Sequence, residues 1–196
     1  MRELAQHIMD LIENSVQAGA QRVQVEVEED LGADRLVLRV SDDGSGMSRE
    51  TAARAIDPFY TSRTCRRVGL GLPLLAASAE RCAGSISITS EPGQGTTVTA
   101  VFQRTHIDRP PLGDLRSTLV SALVGHPQVD LLYRHRVNGR GFELDGAAIK
   151  RELEDLPLSH PTVLRWLERF LSEGLAEVGA SEAPVEEETD AKIDQP

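Results

Sequence analysis

The sequence predicts an α+β sandwich on a mixed or antiparallel sheet. Three observations carry that expectation. Short stretches of alternating apolar and polar residues come in pairs separated by turn residues. Stretches of helical period stand before, between and after those pairs. The order helix, two strands, helix, loop, helix, two strands separates hairpins by helices, which is the α+β pattern.

The elements follow in order. Leu4, Ile8, Leu11, Ile12 and Ser15 recur at helical spacing from Glu3 to about Ala18, with Asp10, Asn14 and Gln17 on the other side. Gly19 stops this helix. Val23, Val25 and Val27 alternate with Gln24, Glu26 and Glu28, a half-buried strand. Asp30 to Asp34 form a turn, and Leu36, Leu38 and Val40 mark the second strand. SDDGSGM, Ser41 to Met47, is a glycine-rich break, after which Ser48 caps a short helix reaching about Ile56. DPFYTSRTCRR has no periodicity and reads as a loop. GLGLPLLAASAERCAG is a helix opened by glycines, with Pro73 tolerated in its first turn. Ile86 and Ile88 mark a third strand, and EPGQG turns into a fourth, TTVTAVF.

After Pro110 and Pro111 the character changes. Leu112 to Val124 is helical in pattern. DLLYRHRVNGRGFELD is a hairpin with Asn138-Gly139 as its tight turn. Helices follow over Gly146 to Glu154 and Pro161 to Leu175.

Composition limits the classes of function. The chain has 196 residues, room for one full core and a small appendage. No apolar run approaches the ~20 residues that span a bilayer, and the N-terminus does not read as a signal peptide. The expectation is a cytoplasmic protein without membrane contact. Cys65 and Cys82 make neither a disulfide framework nor a zinc site. The net charge of −10 is concentrated in the tail, where seven acids from Glu177 onward face only Lys192. A basic surface for nucleic acid is not supported.

Three constellations carry chemistry. Asp10 and Asn14 stand one turn apart on the polar face of the first helix. The amide oxygen is a hard ligand suited to Mg²⁺, and the carboxylate can orient or deprotonate a hydroxyl or water. Asp42, at a strand end, can accept a hydrogen bond from an exocyclic amine, and Gly44 and Gly46 let backbone pass close to a flat base. Gly69 and Gly71 open a helix whose N–H groups favour phosphate. Arg63, Arg66 and Arg67 lie just upstream, with geometry suited to phosphate oxygens.

In this order the segments resemble the GHKL superfamily of gyrases, heat-shock chaperone ATPases, histidine kinases and mismatch-repair ATPases. ELAQHIMDLIENSVQAGA resembles the N box, its ENSVQAGA portion being closest to the mismatch-repair branch. SDDGSGM resembles the G1 box, DPFYTSR the F box, VGLGLPLL the G2 box and SEPGQGTTVTAVF the G3 region. From Asp57 onward the likeness is closest to histidine kinases. The resemblance runs from about Arg2 to Arg104.

It implies a Bergerat-type two-layer sandwich, a mixed sheet covered by helices on one face. The expected division is 1–104 for the ATP-binding domain, 105–176 for a small C-terminal α/β extension and 177–196 for an acidic disordered tail. It implies ATP and Mg²⁺ as cofactors. By resemblance Asn14 coordinates the metal, Asp42 reads the adenine amino group, and Thr96 supports that contact through water. Gly44 and Gly46 lie beside the base. Gly69 and Gly71 belong to the lid and phosphate site, Arg63 stands near the phosphates, and Phe59 and Tyr60 precede a short lid.

The position four before the Mg²⁺ asparagine is usually Glu in ATP-hydrolysing branches and is Asp10 here, one methylene shorter. Asp10 is the candidate catalytic residue. No phosphoaccepting helix pair stands ahead of the N box in this sequence, and His7 is expected to be a packed or helix-face histidine. The resulting expectation is a Mg·ATP-binding regulatory protein that phosphorylates a partner protein or binds it in a nucleotide-dependent way. A non-catalytic ATP-switched module and a slow ATPase are the alternatives. The partner class suggested is a redox enzyme subunit or a signalling protein, and a homodimer stays open.

Overall fold

A computed structural model describes residues 3–57, 71–154 and 156–180. Twelve elements follow one another: α1 (Leu4–Gln17), β1 (Arg22–Asp30), β2 (Arg35–Asp42), α2 (Arg49–Arg54), α3 (Gly71–Arg81), β3 (Ser85–Glu91), β4 (Gly95–Gln103), α4 (Leu115–Gly125), β5 (Asp130–Val137), β6 (Arg140–Asp145), α5 (Gly146–Leu153) and α6 (Pro161–Val178). The strands form one six-stranded mixed sheet in the order β3-β4-β2-β1-β5-β6. All neighbours are antiparallel except β1 and β5, which run parallel.

Strand alternation decides which face is covered. Val23, Val25 and Val27 of β1, Leu36, Leu38 and Val40 of β2, and Val98, Ala100 and Phe102 of β4 are all buried. The register lines these residues up in rows across the sheet, such as Val25–Val40–Val98–Ile88. α1 packs on β1 and β2, α3 on β3 and β4, and α6 on β5 and β6, while α4 packs on α1 and α6. Leu4, Ile8, Leu11 and Ile12 of α1 are buried. Each such burial contributes roughly 1.5–3 kcal/mol. On the opposite face a polar ladder runs across four strands. Arg39 reaches Glu26 at 3.2 Å, Arg134 lies 3.8 Å from Glu26, and Arg134 donates to Glu143 at 2.6 Å.

Local signals set the boundaries. The Ser48 hydroxyl accepts from the Thr51 N–H to cap α2, and the Asp114 carboxylate accepts from Ser117 to cap α4. α4 therefore begins at Leu115, later than the apolar pattern alone predicts, because Asp114 takes the cap position. Asn138 and Gly139 both have positive φ, as the two-residue turn between β5 and β6 requires.

The C-terminal extension continues the sheet. β5 pairs with all of β1 but its last residue, from Arg22↔Asp130 to Glu29↔Val137. The carbonyls of Pro111 and Leu112 accept from the N–H groups of Leu4 and Ala5, two donors that a helix start leaves without intrahelical partners.

Glu29 and His135 continue the apolar phase of their strands, so both point into the core, at 1% and 0% exposure. They solve the polar problem together. Tyr133 Oη lies 2.8 Å from His135 Nδ1, and His135 Nε2 lies 3.1 Å from Glu29 Oε1. Arg104 Nε donates to Glu29 Oε2 at 2.8 Å. One arrangement satisfies every atom: Tyr133 donates to Nδ1, and Nε2–H donates to Glu29. Burial, with the Glu29 charge nearby, pushes the Tyr133 phenol well above its ordinary range, which keeps it a donor. Burial alone would raise the Glu29 carboxyl, but the His135 and Arg104 bonds outweigh it and hold its pKa at about 2.

Removing one member leaves the others buried and uncompensated. Glu29→Gln is expected to cost about 3–5 kcal/mol at neutral pH. Because the folded pKa is depressed, this contribution is complete above the unfolded value of 4.5 and fades as pH falls toward about 2. Urea unfolding of both proteins across this range should show the gap narrowing with acid. A gap independent of pH would rule out the charged network as its source.

Candidate functional site

The last core row at one end of the sheet turns polar. Beyond Val40–Val98–Ile88 the same register brings together Asp42, Thr96 and Ser90, all on the helix-covered face. α1 lies over this end. Ser15 is 3% exposed, and its Oγ donates to Asp42 Oδ2 at 2.8 Å, with the Leu11 carbonyl a longer alternative at 3.1 Å. The Gly44 N–H donates to Asp42 Oδ1 at 2.9 Å. Among the described residues each carboxylate oxygen takes one protein donor, which leaves about half of the roughly four lone-pair positions for a ligand.

The turn after β2 is clamped from both sides. Asp43 Oδ1 accepts from the N–H groups of Gln21 and Arg22, at 2.8 Å each, tying the turn to the start of β1. The Ser45 N–H donates to the Ala18 carbonyl at 2.9 Å, tying it to the end of α1. Gly44 is buried against Ala18. Gly46 and Gly95 have φ of +63° and +91°. A Cβ at Gly46 would run into the Glu91 carbonyl, and one at Gly95 into the Asp42 carbonyl. Only glycine meets both demands, positive φ and backbone-to-backbone contact.

A second polar group lies further toward the start of α1. Asp10 and Asn14 are half-buried and one turn apart. Gly71, the first residue of α3, abuts Asp10: a Cβ there would sit 2.7 Å from Asp10 Oδ2. The helix start expected to receive phosphate therefore adjoins the candidate catalytic carboxylate. Glu13 is exposed. His7 is buried, its Nδ1 has no hydrogen-bond partner among the described residues, and burial lowers its pKa to about 4. It is a neutral packed residue.

The structure thus brings Asp42, Gly44, Gly46 and Thr96 to one end of the sheet, and Asp10, Asn14 and Gly71 beside it along α1. Arg63 and Gly69, like Phe59, Tyr60, Cys65, Arg66 and Arg67, lie outside the described residues. Sequence reasoning missed Ser15, Asp43 and Ser90. Ser15 fell in the apolar stripe of α1, and a hydroxyl in a core position needs a partner. That requirement was the available signal.

A model of the histidine kinase-, DNA gyrase B- and HSP90-like ATPases matches residues 1–106. The chain belongs to this ATPase family. Its matched half is an ATP-binding domain of the histidine-kinase type. The cell-division control histidine kinase PdhS of Brucella ovis is 34% identical over 121 residues, covering 54% of this chain and 12% of that protein. The heme sensor protein HssS of Staphylococcus saprophyticus is 35% identical over 104 residues, covering 53% of this chain and 23% of that one. The chain thus spans less than a quarter of either relative. A solved N-terminal domain of a DNA repair protein, 14% identical, superimposes with a TM-score of 0.50 over 74% of this chain and 53% of that one. That share exceeds what residues 1–106 supply, so the likeness in fold extends into the C-terminal extension. Among the described residues no helix is long and apolar enough to cross a membrane.

The Asp42 end of the sheet should be intolerant at Gly95. Gly95→Ala combines strained φ with a clash against the Asp42 backbone and is expected to cost roughly 2–4 kcal/mol. Thermal unfolding measures this, and a variant with wild-type stability would contradict the close approach of β4 to Asp42.

Proposed function

We propose that the chain binds Mg·ATP at the Asp42 end of the sheet and uses it to act on a partner protein, by phosphorylating it or by binding it in a nucleotide-dependent way. The observation that carries this reading is the placement along α1. One helix brings Ser15 to Asp42, and Asp10 to the first turn of α3, about 7–8 Å further along its axis. A base-reading acceptor and a phosphate-facing helix start are then held by the same helix.

The residues fit the group. Asp42 retains acceptor capacity for an exocyclic amine, and Thr96 stands directly opposite it. The N–H groups opening α3 favour phosphate. Among the described residues no cluster of three or more His, Cys, Asp or Glu could cage a metal. Mg²⁺ needs none, because it is ordinarily held by one or two protein oxygens together with phosphates and water. Asn14 is the residue proposed to hold it, and the ion would offset phosphate charge. Asp10 would orient the acceptor hydroxyl and take its proton as the new P–O bond forms and the bond to the leaving ADP breaks. Arg63 and Gly69 are proposed, from the family resemblance, to meet the phosphates. A cytoplasmic setting and a redox enzyme subunit or signalling protein as partner belong to the same proposal.

Calorimetry with Mg·ADP should show binding, weakened about tenfold or more by Asp42→Asn, which replaces a needed acceptor with a donor. With labelled Mg·ATP, label on a partner indicates the kinase and free phosphate an ATPase. Nucleotide-dependent partner capture without either indicates a switched module. Asp10→Asn should slow transfer by roughly 100-fold or more while leaving binding in place. No binding of nucleotide by the wild type at millimolar concentration would overturn the proposal.

A further inference from the structure

Ser90 sits where three segments of the site meet. The Met47 N–H, in the turn after β2, donates to Ser90 Oγ at 2.8 Å. Ser90 Oγ lies 2.9 Å from the Gly95 carbonyl and 2.9 Å from Thr96 Oγ1. A serine hydroxyl has one proton and two lone pairs, so the direction of these bonds is constrained. The Gly95 carbonyl can only accept and the Met47 N–H can only donate. If Ser90 donates to Gly95, it can accept from both Met47 and Thr96, and all three bonds form. If Ser90 instead donates to Thr96, the Gly95 bond is lost and only two remain. The first arrangement wins, and in it the Thr96 proton is committed to Ser90.

We infer that Ser90 is a positioning residue that turns Thr96 into an acceptor toward the base pocket and thereby selects adenine over guanine. This rests on the nucleotide reading above and deepens it. Thr96 faces Asp42 directly across β2 and β4, so their side chains share one face. With its proton held by Ser90, Thr96 presents only lone pairs there, beside the acceptor oxygens of Asp42. An all-acceptor row suits a base edge that brings donors. With its six-position turned to Asp42, as the resemblance implies, adenine offers an exocyclic amine where guanine in the same pose offers a carbonyl oxygen. A guanine oxygen would then face acceptors with no proton to offer, and a site left with unpaired polar groups discriminates strongly.

Removing the Ser90 hydroxyl frees the Thr96 proton to point into the pocket and serve an incoming carbonyl. The test uses the full chain and calorimetry with Mg·ADP and Mg·GDP. Wild type should favour ADP. Ser90→Ala should reduce the ADP:GDP affinity ratio about tenfold, the scale of one hydrogen bond. Ser90→Thr, which keeps the hydroxyl on the strand, should restore the ratio. A merely structural role for Ser90 would lower both affinities in parallel and leave the ratio unchanged, and that result overturns the inference. Failure of Ser90→Thr to restore the ratio also overturns it. Should the alanine variant not fold, Ser90→Cys keeps the volume but is a weak hydrogen-bonding group, and its ratio should fall between alanine and wild type. A ratio equal to wild type would count against the inference. Absence of ADP binding in wild type would instead remove the nucleotide reading itself.

Discussion

Two hydrogen bonds hold the Asp42 carboxylate, from Ser15 on α1 and from Gly44 in the turn after β2. They tie the C-terminal part of α1 and the turn to the sheet's last row. Rows of valine, leucine and alanine make the sheet's inner face apolar until its final row, where Asp42, Thr96 and Ser90 take over. A polar row beneath a helix is costly unless its groups are paired. Here the pairing comes from Ser15, from the turn's own N–H groups and from the row itself. The positive-φ glycines 46 and 95 let the backbones close tightly enough for those bonds to form.

The opposite end of the sheet handles buried polarity in another way. Glu29, His135 and Tyr133 form a chain between β1 and β5, with Arg104 completing it from the end of β4. Parallel pairing of β1 with β5 makes the extension part of the same sheet. The Pro111 and Leu112 carbonyls fasten the start of α1. The helix that carries Asp10 and Asn14 is therefore held at its N-terminus by the extension and near its C-terminus by Asp42. The network buries charge, so losing one partner costs more than the net energy of the intact network.

Much of this was legible in the sequence. Alternating valines marked β1, the Asn138-Gly139 pair marked the β5–β6 turn, and Ser48 marked the start of α2, because each is a local constraint that one segment satisfies alone. The family boxes placed Asp42, Asn14 and Thr96 in order. Readings that depend on partners distant in sequence were not available. Ser15 occupies an apolar phase and becomes intelligible only when Asp42 arrives beneath it. Glu29 follows the phase of Val27, and His135 that of Tyr133, yet periodicity cannot say that the two meet. The hairpin over 130–145 was visible as a hairpin, but no local feature states that its first strand pairs with β1.

Nucleotide is proposed to bind where the sheet's last row turns polar. Amide hydrogen exchange of the full chain, with and without Mg·ADP, tests this placement. Slowed exchange is expected to concentrate at residues 42–47, at 95–97 and along α1 from Asp10 to Ala18, with little change at the Glu29–His135 end. Protection confined to the β5–β6 hairpin and α6, or no protection at saturating nucleotide, would contradict it.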